Sequence, residues 1–149
     1  MKEAGMVAGI LGLDAVTKYL AAKKLPLGGR KEIVKNRFYL RHIKNAGMAY
    51  NLGEEHPKGV LAATGAMISY GFWKLFRLKR EKDPAALWMA VLLGGALGNF
   101  LERLCFGRVT DFLYVKIKKA PIFNIADVAI ALGALGILAV SGVKKDKSS

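Results

Sequence analysis

The sequence predicts an all-α membrane protein, with four transmembrane helices and a small β-like cap between helices 1 and 2. Three observations carry that prediction. Of the 149 residues 53% are hydrophobic, yet 23% are charged, a mixture that suits a polytopic membrane protein with short basic connections. The apolar residues gather into four runs, 4–22, 59–76, 85–106 and 121–143. Each is long enough to cross about 30 Å of hydrocarbon at about 1.5 Å per residue. The Lys and Arg residues behind the formal charge of +13 lie between these runs rather than along one helix face. That placement points to anionic membrane lipids as the counter-charge and away from nucleic acid, since a basic residue beside such a surface gains roughly 1 kcal/mol. The whole chain, 1–149, reads as one integral membrane domain.

The first run, Ala4 to Ala22, is broken only by Asp14 and Lys18. Lys2 before an apolar core resembles a signal peptide, but no small-x-small cleavage site follows it, so the run is read as a span. Residues 23–58 form the cap. Within KNRFYLRHIKNAGMAYNLG, Phe38, Leu40 and His42 alternate with Tyr39, Arg41 and Ile43, and that period predicts short strands. Asn45-Ala46-Gly47 and Asn51-Leu52-Gly53 read as turns, and His42 and His56 as surface residues. The second run, Gly59 to Phe76, ends in the charge cluster Arg77, Lys79, Arg80, Glu81, Lys82 and Asp83. Pro84 then suits the first turn of the third helix, where its missing N–H has no partner to lose. The third run, to Phe106, carries GGALGN, whose small residues allow close helix contact. The fourth runs from Pro121 to Val143 and stops at Lys144-Lys145. The single Cys105 cannot form an intrachain disulfide, and no Cys/His cluster has metal spacing. With both termini cytoplasmic, nine of the 24 Lys and Arg fall on that side and fifteen on the other, so charge alone leaves the orientation open.

The polar residues inside the runs are the informative ones, because a carboxylate at the centre of a spanning helix costs about 2.5–3.5 kcal/mol on insertion scales. Asp14 and Lys18 are four apart, share a helix face and read as a bundle-locking pair. Asn99, Glu102 and Arg103 also share a face and read as a polar brace beneath a site. Asp111 and Asp127 have no Lys or Arg at pairing distance on the face of the fourth run, while Asn124, three residues before Asp127, can orient its carboxyl. Gly107 and Pro121 end helices, so the short connection returns the chain to the membrane edge it left. Both aspartates therefore lie near one membrane face. Two carboxyls in a low-dielectric site share a proton, which suits acid–base hydrolysis of an amide. A proton relay or cation site, as in a small transporter, explains the same spacing equally well. No HExxH, GxSxG or GxGD pattern offers another protease chemistry.

Five blocks, in order along nearly the whole chain, resemble the lipoprotein signal peptidase (signal peptidase II) family. They are LDAVTK, NAGMAY, GALGNFLERL, GRVTDF and FNIAD. The resemblance implies an aspartyl endopeptidase with Asp111 and Asp127 as its catalytic pair. Asp14, Lys18, Asn45, Gly47, Asn99, Arg103 and Asn124 would bind substrate or support the site. It implies a diacylglyceryl-modified prolipoprotein as substrate, cut before the lipidated cysteine, and no metal or organic cofactor. A monomer in the bacterial inner (cytoplasmic) membrane follows, with both termini cytoplasmic and the cap and dyad on the extracytoplasmic side. Three departures stand out: Glu102 where the family usually has Asp, Val128 where Ser usually follows FNxAD, and Tyr50-Asn51 after NAGMA. They leave room for a divergent member with a changed substrate or little activity.

Overall fold

The computed structural model describes residues 1–46, 55–117 and 120–146, with side chains as far as residue 143. Four helices and four strands follow in the order α1 (Lys2–Lys24), β1 (Arg30–Val34), β2 (Phe38–Asn45), α2 (Pro57–Arg80), α3 (Ala85–Phe106), β3 (Val109–Val115), β4 (Ile122–Phe123) and α4 (Ile125–Asp146). Gly47 of the turn read at Asn45-Ala46-Gly47, and the whole of that at Asn51-Leu52-Gly53, lie outside the described residues.

Helix α3 is the central element and packs against α1, α2 and α4. The bundle is inverted relative to a soluble one. On α1 the buried residues include Asp14 and Lys18, at 1% and 6% exposure, while Leu13 and Val16 beside them are 54% and 56% exposed. Leu132, Leu135 and Leu138 point outward from α4 in the same way. Water would punish that arrangement twice, once for each exposed apolar side chain and once for each buried charge; hydrocarbon outside and a polar seam inside reverse both signs. Close packing at the seam depends on Gly98, where an added Cβ would lie 2.5 Å from the Asp14 carboxylate.

Among the described residues three helices are long and apolar enough to cross a membrane: α1, α3 and the 125–143 part of α4. Three of the four expected spans are thus present by length and composition, and the second run, on α2, is not among them. Helix α2 has 24 residues, ample for a crossing, but Gly59, Thr64, Gly65, Ser69, Gly71 and Lys74 dilute its apolar character. Its buried stripe is Val60, Ile68, Gly71, Leu75 and Leu78, of which Ile68, Leu75 and Leu78 join Ala86, Ala90 and Leu93 of α3 in the hydrophobic core.

The cap is also larger than expected. It is a four-stranded antiparallel sheet in the order β1-β2-β3-β4, and half of its strands come from the connection between α3 and α4. Gly107 makes this possible: at φ 71 it closes α3 in the left-handed region and turns the chain straight into β3. Leu113 and Tyr114 of β3 then pair with Phe123 and Ile122 of β4. The fourth apolar run is therefore not helical from Pro121, as the sequence suggested; its first residues are spent on β4 and a cap, and α4 starts at Ile125.

Strand β2 carries one extra residue relative to β3. Leu40 faces Leu113, but Ile43 faces Asp111, so the ladder breaks at Arg41 and His42 in a β-bulge. There the His42 N–H donates to Gly29 O (3.1 Å) and its carbonyl accepts from Gly28 N (2.8 Å). His42, read from sequence as a surface residue, is 7% exposed, with its Nδ1 2.9 Å from Leu25 O. The bulge turns it under the loop that leaves α1.

Candidate active site

The sheet and the bundle meet at the N-terminus of α4. Asn124 is the residue before that helix, and its side-chain Oδ1 accepts the Asp127 N–H at 2.9 Å. In return Asp127 Oδ2 accepts the Asn124 N–H at 3.1 Å. This is a capping box built from Asn and Asp, satisfying two of the backbone donors that a helix start leaves open. A third donor, Ala126 N–H, goes to Asp14 Oδ1 at 2.9 Å. Asp14 thus does more than pair within α1: it places a carboxylate at the positive end of α4.

From that cap the polar groups converge. Asn124 Nδ2 donates to Asp111 Oδ1 at 2.7 Å, and more weakly to Asn99 Oδ1 (3.1 Å) and Thr110 O (3.3 Å). One asparagine therefore holds both aspartates, Asp111 through its amide and Asp127 through its backbone. Each carboxylate has a second donor: Asn45 Nδ2 to Asp111 Oδ2 at 3.1 Å, and Asn99 Nδ2 to Asp127 Oδ1 at 2.7 Å. Asn99 Oδ1 also accepts from Lys18 Nζ at 2.8 Å. Lys18 lies 2.7 Å from Asp14 Oδ2 and 3.1 Å from Glu102 Oε2, so its ammonium sits between two carboxylates.

A cavity of about 290 Å³ opens on this cluster, lined by Asn45, Asn99, Arg103, Asp111, Phe123 and Asp127 among others. A second, of about 360 Å³, flanks it on the α2 side and shares Asn99, Arg103 and Asp127. The rest of its wall includes Met67, Ile68, Leu92 and Leu93. Of the residues singled out by sequence, Asp111, Asp127, Asn45, Asn99 and Arg103 line these cavities, Asn124 is fully buried between the two aspartates, and Asp14 and Lys18 lie one layer behind. Gly47 lies outside the described residues. Sequence reasoning missed Thr110 and Lys44, which join Glu102 behind β3; the only sign of them was their place next to Asp111 and Asn45.

Two carboxyls in one partly enclosed polar cavity are suited to exchanging protons with a bound molecule. Burial pushes the Asp111 carboxyl up to about 6; the Asn45 amide pulls it back and the Asp127 charge adds to the rise. An unfolded aspartate loses its proton near pH ~3.9. Between about pH 4 and 6 the folded chain thus keeps a proton that the unfolded chain has released. The stability contributed by this group is full at the acid end and is lost as pH rises through about 6. In infrared spectra of the purified protein, a protonated-carboxyl band should vanish with a midpoint near pH 6 and be missing from Asp111→Asn. Absence of that band from the wild type at pH 5 would contradict the assignment.

Residues 6–143 match the family model described as signal peptidase (SPase) II. A lipoprotein signal peptidase of Brevibacillus brevis is 36% identical over 133 residues, 89% of each chain. One from Teredinibacter turnerae is 37% identical over 144 residues, 90% of this chain and 83% of its own. Among solved structures, a bacterial membrane enzyme obtained by the in meso method aligns with a TM-score of 0.81 and 25% identity, covering 98% of this chain and 89% of its own. A second aligns at 0.75 and 25% identity, covering 92% and 90%.

Proposed function

The chain belongs to the signal peptidase II family, and on that footing we propose that it is an intramembrane aspartyl endopeptidase. Its substrate is a diacylglyceryl-modified prolipoprotein, cut on the amino side of the lipidated cysteine. The observation that carries the reading is the joining of Asp111 and Asp127 through Asn124, in a cavity where the sheet meets the spanning helices.

In this mechanism the pair begins with one proton, resting on Asp111, the buried member. Ionised Asp127 takes a proton from water as its oxygen bonds to the scissile carbonyl carbon, while Asp111 gives its proton to the carbonyl oxygen. The tetrahedral diol then collapses. Asp127 passes its proton to the leaving nitrogen, the C–N bond breaks, and Asp111 recovers a proton from the diol hydroxyl. Both carboxyls return to their starting states. Asn45, Asn99 and Asn124 hold them in place, and Arg103 stands at the cavity wall, where negative charge builds on the substrate.

The two cavities divide the substrate by polarity. The peptide lies in the smaller, polar one. An acyl chain enters the apolar one beside α2, where each buried CH₂ is worth about 0.8 kcal/mol, so the lipid supplies affinity that a short peptide lacks. In this arrangement α2 crosses the bilayer as a fourth span and both termini are cytoplasmic. The site faces the outer leaflet of the bacterial inner membrane, the monomer is the working unit, and Gly47 serves substrate binding. Anionic lipids neutralise the basic connections.

The test is cleavage in proteoliposomes of a synthetic precursor with and without the diacylglyceryl group, with products identified by mass. The lipidated precursor should yield a fragment that begins at the modified cysteine, and the unlipidated one should stay intact. Equal cutting of both, a cut elsewhere, or pH-driven ion flux with no cleavage would overturn the proposal.

A further inference from the structure

Behind the strand that carries Asp111 lies a second polar cluster with no part in the chemistry just described. Thr110 is 2% exposed and points away from the aspartates, as alternation along a strand requires. Glu102 Oε1 accepts both its backbone N–H, at 3.0 Å, and its hydroxyl, at 2.5 Å. Lys44 Nζ donates to the same hydroxyl oxygen at 2.7 Å and to Glu102 Oε1 at 3.2 Å. Lys44 and Thr110 face each other across the β2–β3 ladder. One residue further along each strand come Asn45 and Asp111, joined on the opposite face. Each strand thus offers one residue to the dyad and the next to the cluster behind it.

Helix α3 makes this pairing consequential. Asn99 and Glu102 are three residues apart, one turn of the same helix. Asn99 holds Asp127 from the front, and Glu102 grips the residue before Asp111 from behind. A ladder between two strands fixes their register but not their tilt against a helix. The described contacts from Glu102 to Thr110 set β3 against the helix that sets Asp127. Lys44 completes the grip: by donating to the Thr110 oxygen it leaves the hydroxyl hydrogen for Glu102, and with Lys18 it balances the charges of Asp14 and Glu102.

We propose that Lys44 and Thr110 are positioning residues, which act through Glu102 to hold Asp111 at the depth and angle where it faces Asp127. This inference rests on the reading of Asp111 as a catalytic residue. Its test is steady-state cleavage of the lipidated precursor by purified Lys44→Met, Thr110→Val, Thr110→Ser and the Lys44→Met/Thr110→Val double variant. Misplacement by a fraction of an ångström should lower kcat about tenfold in each of Lys44→Met and Thr110→Val, with KM within about twofold of wild type. Thr110→Ser, which keeps the hydroxyl, should recover most of the rate. The double variant should fall no more than about twofold below the worse single one, because both changes release the same grip.

Three results would overturn the proposal: independent, multiplying effects; a change in KM alone; or a lower melting temperature with wild-type kcat in the folded fraction. If Lys44→Met does not fold, the Val and Ser variants at Thr110 decide alone. Asp111→Asn in the same assay separates the two layers of the argument. Retained cleavage there overturns the dyad and the grip together, whereas an inactive Asp111→Asn beside unaffected Lys44 and Thr110 variants overturns the grip only.

Discussion

Asp111→Asn leaves the protein folded and inserted and lowers the rate of precursor cleavage by about 10³-fold or more, within the range associated with a lost acid–base group. The hydrogen bonds explain why this variant is the clean one. Asp111 accepts one bond from the Asn124 amide and one from the Asn45 amide. An asparagine at 111 keeps its oxygen towards Asn124, so the shorter of the two bonds survives. Asp127→Asn should be equally inactive, and its surroundings are the more constrained. One of its oxygens faces the backbone N–H of Asn124, which cannot be reversed. The other faces the Asn99 amide, whose oxygen is committed to Lys18 and Asn124. The new NH₂ must meet a donor, so this variant also loses about 1–3 kcal/mol of stability. Cleavage assays with thermal melts in detergent check both halves of the expectation. Cleavage by Asp111→Asn within tenfold of wild type would remove it from the chemistry.

Lys18→Met has the largest expected effect on stability. The side chain is nearly isosteric, so packing is kept, but the cation between Asp14 and Glu102 is gone and the Asn99 oxygen loses a donor. Removing one partner of a buried ion pair costs about 3–5 kcal/mol, because the charge left behind has neither water nor counter-ion. Asp14 also caps α4, so the loss reaches the cap that seats Asp127. Adding Glu102→Gln should return part of the stability, since the amide oxygen can still accept from Thr110 while one orphaned charge disappears. Equilibrium unfolding in mixed micelles would measure both changes. A single variant within about 1 kcal/mol of wild type would mean that Lys18 does not hold the seam together.

What the sequence disclosed follows from the range over which each signal acts. Helices α1, α3 and α4 announce themselves as local apolar runs, and Gly107 marks the end of α3 within its own turn. The sheet was only half legible because β3 pairs with β2 far back along the chain, β4 is only two residues long, and RVTDFLYV carries no mark of either pairing. Helix α4 was started four residues too early since Ile122 and Phe123 are as apolar as the span they precede. In the site, the aspartates stood out because a carboxyl in an apolar run is conspicuous. Lys44 and Thr110 were hidden by their ordinariness; a lysine in a basic loop and a threonine in a strand gain meaning only from a cross-strand register. That register depends on an irregularity at His42 that no periodicity reveals.

The irregularity works as a slack link. With one surplus residue between Leu40 and Ile43, three steps on β2 meet two on β3, and the pairings on either side of the bulge stay intact. Deleting Arg41 would therefore close the ladder and leave Lys44 and Asn45 on the faces that Thr110 and Val109 assign them. What it would loosen is the tie to the loop after α1, where the His42 backbone bonds Gly28 and Gly29.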